Sequence, residues 1–208
     1  MAIGRRIPTA LGSRAAPAPR SAGRTSAGEL DALTLARARK GDAHAFRDLV
    51  LAYEGRVFGL VGRILGSSRR AHVEDVAQET FVKVHRGLSS FDPRGSARLS
   101  TWILTIATRT AVDLVRREKV TVALPEGLPS EQDIEATAAA RVEAHQVERA
   151  LAKLSPEHRA ILALRAFHDL DYSEIAEALD LSVGTVKSRL ARARTALRAA
   201  VEGDTHAS

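Results

Sequence analysis

From Glu29 onward, apolar residues recur at three- and four-residue steps, the period of a helix with one buried face. A first short helix is expected from Glu29 to about Lys40, ended by Gly41. Asp42 is a ready N-cap for a second helix, in which Phe46, Leu49, Tyr53, Val57, Leu60 and Ile64 form one continuous stripe ending at Gly66. A third helix, about Val73–Arg86, turns Val76, Thr80 and Val84 inward. A fourth, about Thr101–Lys119, buries Ile103, Ile106, Ala107 and Leu114. Four helices with short connections can close one core.

Pro125, Gly127 and Pro129 then interrupt the pattern inside an acidic stretch. They predict a linker over residues 120–131 between a domain at 29–119 and a second at 132–203, with a short tail at 204–208. The second block reads as helices over about Glu131–Leu154, Pro156–His168, Tyr172–Leu179 and Val183–Val201. Few apolar residues in the linker could pack the halves together, so they are expected to fold separately. Residues 1–28 hold Arg5, Arg6, Arg14, Arg20 and Arg24 among Ala, Gly, Pro and Ser with no apolar face, the composition of a disordered basic tail. The expected fold is all-α, two small helical domains joined by a flexible linker.

Composition supports helices and narrows the chemistry. Of 208 residues, 45% are hydrophobic but only 4% aromatic, and Ala, Leu, Arg and Glu prevail over the residues that strands prefer. The absence of cysteine removes disulfides, thiolate metal sites and a Cys nucleophile together. No apolar stretch approaches the roughly 20 residues of a membrane span, and the N-terminus lacks the apolar core of a signal peptide, which predicts a cytoplasmic protein. Seven histidines are present, yet there is no His-Glu-x-x-His, no Gly-rich phosphate loop and no Gly-x-Ser-x-Gly. Glu143, His145 and Glu148 read as a solvated helix face. No catalytic residue, metal, cofactor or small-molecule substrate is expected.

The net charge of +6 matters chiefly through its distribution. From Val120 to Gln146 there are five acids and one Arg, whereas from Ser182 to Val201 there are Lys187, Arg189, Arg192, Arg194 and Arg198 and no acid. That basic segment completes a helix-turn-helix beginning at Tyr172. Ile175 and Leu179 anchor its first helix, Ala176 is small where the second must pass, Leu181 fills the turn and Ser182 caps the second helix. Val183, Val186, Leu190, Ala193 and Leu197 form the inward stripe of that second helix. Thr185, Ser188, Arg192 and Thr195 then fall on the opposite face, flanked by Lys187, Arg189 and Arg198. A polar, cationic helix face free of acids suits the major groove, where side chains reach base edges while Arg and Lys neutralise phosphates. The motif alone also fits regulators that bind DNA by one domain and sense a ligand with the other.

Two longer stretches carry a resemblance. Leu151-Ala-Lys-Leu-Ser-Pro-Glu-His-Arg, Tyr172-Ser-Glu-Ile-Ala-Glu and Ser182-Val-Gly-Thr-Val-Lys-Ser-Arg-Leu resemble region 4 of the extracytoplasmic-function (ECF) sigma factors. Gly41-Asp-Ala-His-Ala-Phe, Glu74-Asp-Val-Ala-Gln-Glu-Thr-Phe-Val-Lys-Val, Ser100-Thr-Trp-Ile-Leu-Thr-Ile-Ala and Asp113-Leu-Val-Arg-Arg resemble region 2, in the family's order. The resemblance implies a transcription initiation factor that brings core RNA polymerase to promoter DNA. It implies that Asp75, Gln78 and Glu79, which share one helix face by their spacing, grip the clamp helices of the largest polymerase subunit, with the flap as a further contact. It implies capture of the melting −10 element by Phe91, Arg98, Ser100, Trp102, Arg109, Arg116, Arg117 and Lys119, a Gly- and Pro-containing loop and the cationic helix behind it. It implies −35 recognition by Thr185, Lys187, Ser188, Arg189, Ala191 and Arg192, and control by an anti-sigma factor.

Overall fold

The computed structural model describes residues 29–95, 97–119, 147 and 149–205; the basic tail, the linker over 120–131, most of the helix expected at Glu131–Leu154, and Glu143, His145 and Glu148 lie outside the described residues. Seven α-helices lie wholly among them: α1 (Ala32–Arg39), α2 (Ala43–Leu65), α3 (Val73–Gly87), α4 (Leu99–Lys119), α5 (Pro156–Ala166), α6 (Tyr172–Leu179) and α7 (Val183–Thr205), and residues 149–152 are the described end of a further helix. Two 3₁₀ turns, Ser67–His72 and Leu88–Ser90, flank α3, and no described residue is in a strand.

Polar caps start these helices. Asp31 accepts backbone N–H bonds from Leu33 and Thr34, and Asp42 from His44 and Ala45. Asp42 also holds Arg37 at 2.7 Å, tying the end of α1 to the start of α2. Ser155 caps α5, which has Pro156 in its first turn where a missing N–H costs nothing. Each cap of this kind contributes about 0.5–2 kcal/mol.

In the N-terminal half, α2 is the spine. Its Leu49, Tyr53, Val57, Leu60 and Ile64 are fully buried against α1, α3 and α4, while Phe46 is half-buried with its ring edge-on to His85 at 4.8 Å. Val76, Thr80 and Val84 line α3's inner face, and Ile103 and Ala107 that of α4. Ile106 and Leu114, expected inside, are only partly buried: α4's apolar arc is wider than the surface its neighbours cover. The corresponding stripe on α7 buries Val186, Leu190 and Ala193 but leaves Val183, its first residue, 39% exposed and Leu197 half-buried. Period arithmetic assigns a face along the whole helix, whereas burial needs a facing element, which the ends of α7 lack.

The larger departure concerns the two halves. Instead of standing apart they pack: α5 lies on α2, α5 and α6 on α4, and Ile161, Leu164 and Ile175 belong to the same buried cluster as the residues of α2 and α4. The contact does not use the linker, so the linker's poverty in apolar residues says nothing about it. Leu170 and Ala176 complete an apolar face that the helix-turn-helix does not consume internally.

The seam is rich in arginine. Arg63 of α2 lies over the Phe167 ring at 3.8 Å, and Arg159 of α5 is 5% exposed with its Nε unbonded. The Arg159 guanidinium rests against Gly66, whose φ of +74° ends α2; a Cβ there would stand 2.6 Å from Nη1. Glycine is required both for that backbone and for that approach. Burial, with Arg69 nearby, holds the Arg159 pKa below its usual range.

His168 sits beside the same seam with its Nε2 buried and unbonded. Burial, reinforced by Arg63 and Arg56, pushes its pKa down to about 4. The folded state therefore binds the proton more weakly than the unfolded chain. Its stability is fully present above the unfolded value near 6.5 and is lost as pH falls toward 4. We expect this group to remove about 1–3 kcal/mol between pH 7 and pH 4, and His168→Gln to flatten that part of the profile. Urea midpoints across the range check it; identical slopes for variant and parent would show that His168 is not the group titrating.

Candidate functional site

Three surfaces carry the residues singled out from the sequence. On α3, Asp75, Gln78 and Glu79 are all exposed on one face. The amide of Gln78 donates to Glu74 at 3.1 Å, and Glu79 pairs with Lys83 at 2.8 Å. Val82, one turn on, is 48% exposed beside them. The sequence reading did not include Val82; its signal is an apolar residue at the i+7 position from Asp75. An acidic face with an exposed apolar residue could take a basic partner that also buries some aliphatic surface.

The second surface is the loop ahead of α4 and that helix's cationic side. Phe91 is 7% exposed and its ring lies 5.1 Å from that of Trp102, so these aromatics pack on each other and anchor the loop. Trp102 in turn leaves little space at Gly87, where a Cβ would stand 3.1 Å from the indole. Ser100 donates a hydrogen bond to Glu29, whose other carboxylate oxygen accepts from Tyr53 Oη at 2.9 Å. Burial and then the neighbouring Glu29 raise the Tyr53 pKa, so the phenol stays a donor. The side chains of Arg109, Arg116 and Arg117 are exposed along α4, and Arg117 Nε donates to the Asp113 carbonyl at 3.3 Å. Lys119 ends the helix; its side chain is outside the described residues.

The third surface is the helix-turn-helix. Asp171 and Glu174 form a reciprocal capping box on α6, and Asp180 ends that helix in the left-handed region at φ 54°. Ser182 Oγ then accepts the Thr185 N–H at 3.1 Å to start α7. Lys187, Ser188, Ala191 and Arg192 are exposed on α7, and Thr185 is half-buried. Ser188 Oγ donates to the Thr185 carbonyl at 3.0 Å, and Arg192 Nε to that of Ser188 at 3.4 Å, so both side chains lie folded along the helix. Lys187 Nζ is 5.9 Å from the Tyr172 ring.

The packing of the halves brings the second and third surfaces against each other. Glu174 of α6 reaches the Thr101 hydroxyl at 3.3 Å and Arg98 at 3.9 Å. Glu157 of α5 pairs with Arg116 at 3.0 Å. Partial burial alone would raise the Glu157 pKa, but its backbone bond and Arg116 outweigh that and leave it below its ordinary value. Arg189, half-buried, turns toward Arg109 and Arg116 and lines a cleft with them. Two acids of the C-terminal half thus pair with cations of the second surface, Arg98 ahead of α4 and Arg116 on it. Neither Glu174 nor Glu157 was singled out from the sequence; each does its work here through a partner in the other half. No described group of His, Asp or Glu could hold a metal ion, and no described helix is long and apolar enough to cross a membrane.

Comparison with known proteins joins the surfaces. Residues 49–121 match the family model for Sigma-70 region 2, and residues 144–197 that for Sigma-70, region 4. The chain is 34% identical over 173 residues to the ECF RNA polymerase sigma factor SigW of Bacillus subtilis, covering 77% of this chain and 90% of the relative. It is 36% identical over 188 residues to the RNA polymerase sigma-H factor of Pseudomonas aeruginosa, covering 84% and 95%. Among solved structures, the sigma factor RpoE of Bartonella quintana, in complex with the anti-sigma factor NepR, has the same fold at a TM-score of 0.64 and 22% identity, over 76% of this chain and 96% of that one. Two sigma regions in the family's order, on two helical halves with a helix-turn-helix in the second, make this chain a member of the sigma-70 family and, within it, an ECF sigma factor of RNA polymerase.

Proposed function

We propose that the chain works in the cytoplasm without catalysis of its own, linking core RNA polymerase to promoters through three separate surfaces. The observation that carries this reading is the pairing of an exposed acidic face on α3 with a capped, acid-free polar face on α7, in one chain and in the order of the two sigma regions. Asp75, Gln78 and Glu79 bind basic residues of the clamp helices, with Val82 adding apolar contact, and the C-terminal half meets the flap. Arg98, Ser100, Arg109, Arg116, Arg117 and Lys119 hold single-stranded −10 DNA, with Phe91 and Trp102 fixing the loop. Thr185, Lys187, Ser188, Arg189, Ala191 and Arg192 form the −35 reading surface. RpoE of Bartonella quintana is bound to an anti-sigma factor in its solved structure, and a partner of that class is proposed here.

With Glu174 on Arg98 and Glu157 on Arg116, the packed arrangement is not the one that binds promoter DNA; the halves separate first. Core polymerase supplies the binding energy, since a ligand shifts an equilibrium by its differential affinity for the two states.

Asp75→Arg with Glu79→Arg is expected to abolish co-purification with core polymerase, because a reversed patch repels its partner, and to lower unfolding free energy by about 1–2 kcal/mol, because it breaks the Glu79–Lys83 pair and removes an acid from the first turn of α3. Undiminished co-purification would remove the clamp assignment. Arg192→Ala should reduce −35 discrimination by about 1–3 kcal/mol in band-shift titrations with reconstituted holoenzyme. An equal loss on a scrambled −35 sequence would make it a phosphate contact.

Glu174→Gln removes the charge facing Arg98 and keeps a side chain able to complete the capping box. It should raise the affinity of the free chain for single-stranded −10 DNA about two- to fivefold, the worth of a partly exposed ion pair. Fluorescence anisotropy measures it, and unaltered affinity would mean that Glu174 does not shield the loop.

A further inference from the structure

The cleft where the halves meet is about 120 Å3 and is lined by Arg109 and Arg116 of α4, Arg189 of α7, Asp113, Glu157 and Leu179. Its charges are not balanced internally. Glu157 is spent on Arg116 at 3.0 Å. Arg109 and Arg189, brought together from opposite halves, form no hydrogen bond or ion pair with any described residue. Asp113 shares the cleft without approaching either within ion-pair distance. Two like charges lining one cleft, Arg189 half-buried and Arg109 exposed at its mouth, oppose its closure.

We propose that this cleft binds a small phosphate-bearing anion, clasped between Arg109 on α4 and Arg189 on α7. Guanidinium groups present planar forks of N–H donors that match phosphoryl oxygens, whereas a monovalent halide offers neither the geometry nor the charge. The space suits one or two phosphoryl groups, and Leu179 gives the cleft an apolar wall. Asp113 opposes the anion, which sets the expected affinity in the range of about 0.1–1 mM. Because Arg109 and Arg189 come from different halves, the anion stabilises the packed arrangement. The consequence for DNA, but not the site itself, rests on the function proposed above: these arginines are assigned there to the −10 and −35 surfaces, so an occupied cleft withholds them from promoter DNA.

The test uses the full chain and sodium pyrophosphate, titrated calorimetrically and followed by thermal unfolding, against sodium chloride and sodium sulfate at matched ionic strength. Saturable binding and a Tm rising with the logarithm of pyrophosphate concentration are expected. Arg109→Ala and Arg189→Ala should each weaken binding at least tenfold, while Arg194→Ala, exposed elsewhere on α7, should leave it unchanged. A nucleoside triphosphate binding as tightly as pyrophosphate supports phosphates as the recognised group, and tighter binding supports a nucleotide as the ligand. An equal response to matched chloride overturns the site, as does wild-type affinity in Arg189→Ala, which would leave the anion on α4 alone. Single-stranded −10 DNA is then titrated with and without pyrophosphate. Displacement beyond the matched-salt control supports the link to DNA. Pyrophosphate binding that leaves DNA affinity untouched keeps the cleft and removes the DNA role of its arginines; intact DNA binding with no pyrophosphate binding removes the cleft alone.

Discussion

The Glu174 carboxylate joins two levels of the structure. One oxygen accepts the Asp171 N–H at 2.9 Å and closes the capping box that starts α6, while the other meets the Thr101 hydroxyl at the start of α4 and faces Arg98. A residue that initiates the helix-turn-helix locally is therefore also a contact between the halves. A capping box needs the side chain in one rotamer, so α6 presents the free oxygen to α4 already oriented, with little further loss of side-chain freedom. Around it the rest of the seam is cationic: Arg63 on Phe167, Arg159 under Gly66, Arg189 in the cleft. Apolar burial by Ile161, Leu164 and Ile175 draws the halves together, and the polar groups decide how firmly.

The seam differs in kind from the two cores it joins. Within the N-terminal half, α2 contributes five fully buried large side chains in one stripe, and each such side chain is worth about 1.5–3 kcal/mol. Across the seam, Arg159 has a buried, unbonded Nε and His168 a buried, unbonded Nε2. Unsatisfied buried donors each cost about 1–3 kcal/mol and subtract from what apolar contact provides. A strong core beside a weakened seam is what the proposed separation of the halves would need, since each half must then keep its own fold.

The sequence made the elements legible because their signals are local. Caps at Asp42 and Ser182, the end at Gly66 and the three- and four-residue spacing of α2 depend on residues within a turn or two of each other. The candidate surfaces were legible for the same reason: Asp75, Gln78 and Glu79 share a face by helical geometry alone, and so do Ser188 and Arg192. The seam was not legible. Glu174 and Thr101 are 73 residues apart, Glu157 and Arg116 are 41 apart, and no periodicity links them. The expectation that the halves fold separately came from the linker, but they meet through apolar residues of α5 and α6 that serve an internal core and an external contact at once. Period arithmetic cannot separate those uses, and it failed at Val183 for the related reason that a periodic face does not guarantee a facing element.

The same chemistry explains why a DNA-binding chain can close on itself. A surface that recognises phosphates is a set of unpaired guanidinium groups at fixed spacing, and any carboxylate presented at that spacing competes for it. In the C-terminal half, Glu157 and Glu174 lie in the first turns of α5 and α6, where acids favour the positive ends of helix dipoles. The position that suits them as helix initiators also projects them from the end of each helix, toward whatever lies opposite. Opposite lie Arg98, just ahead of α4, and Arg116 on it. Closure therefore arises from two requirements met independently, stable helix starts in one half and a cationic helix in the other. Each pair is only partly buried, where an ion pair is worth about 1 kcal/mol or less and is screened by salt, so the pairs hold the halves together only weakly.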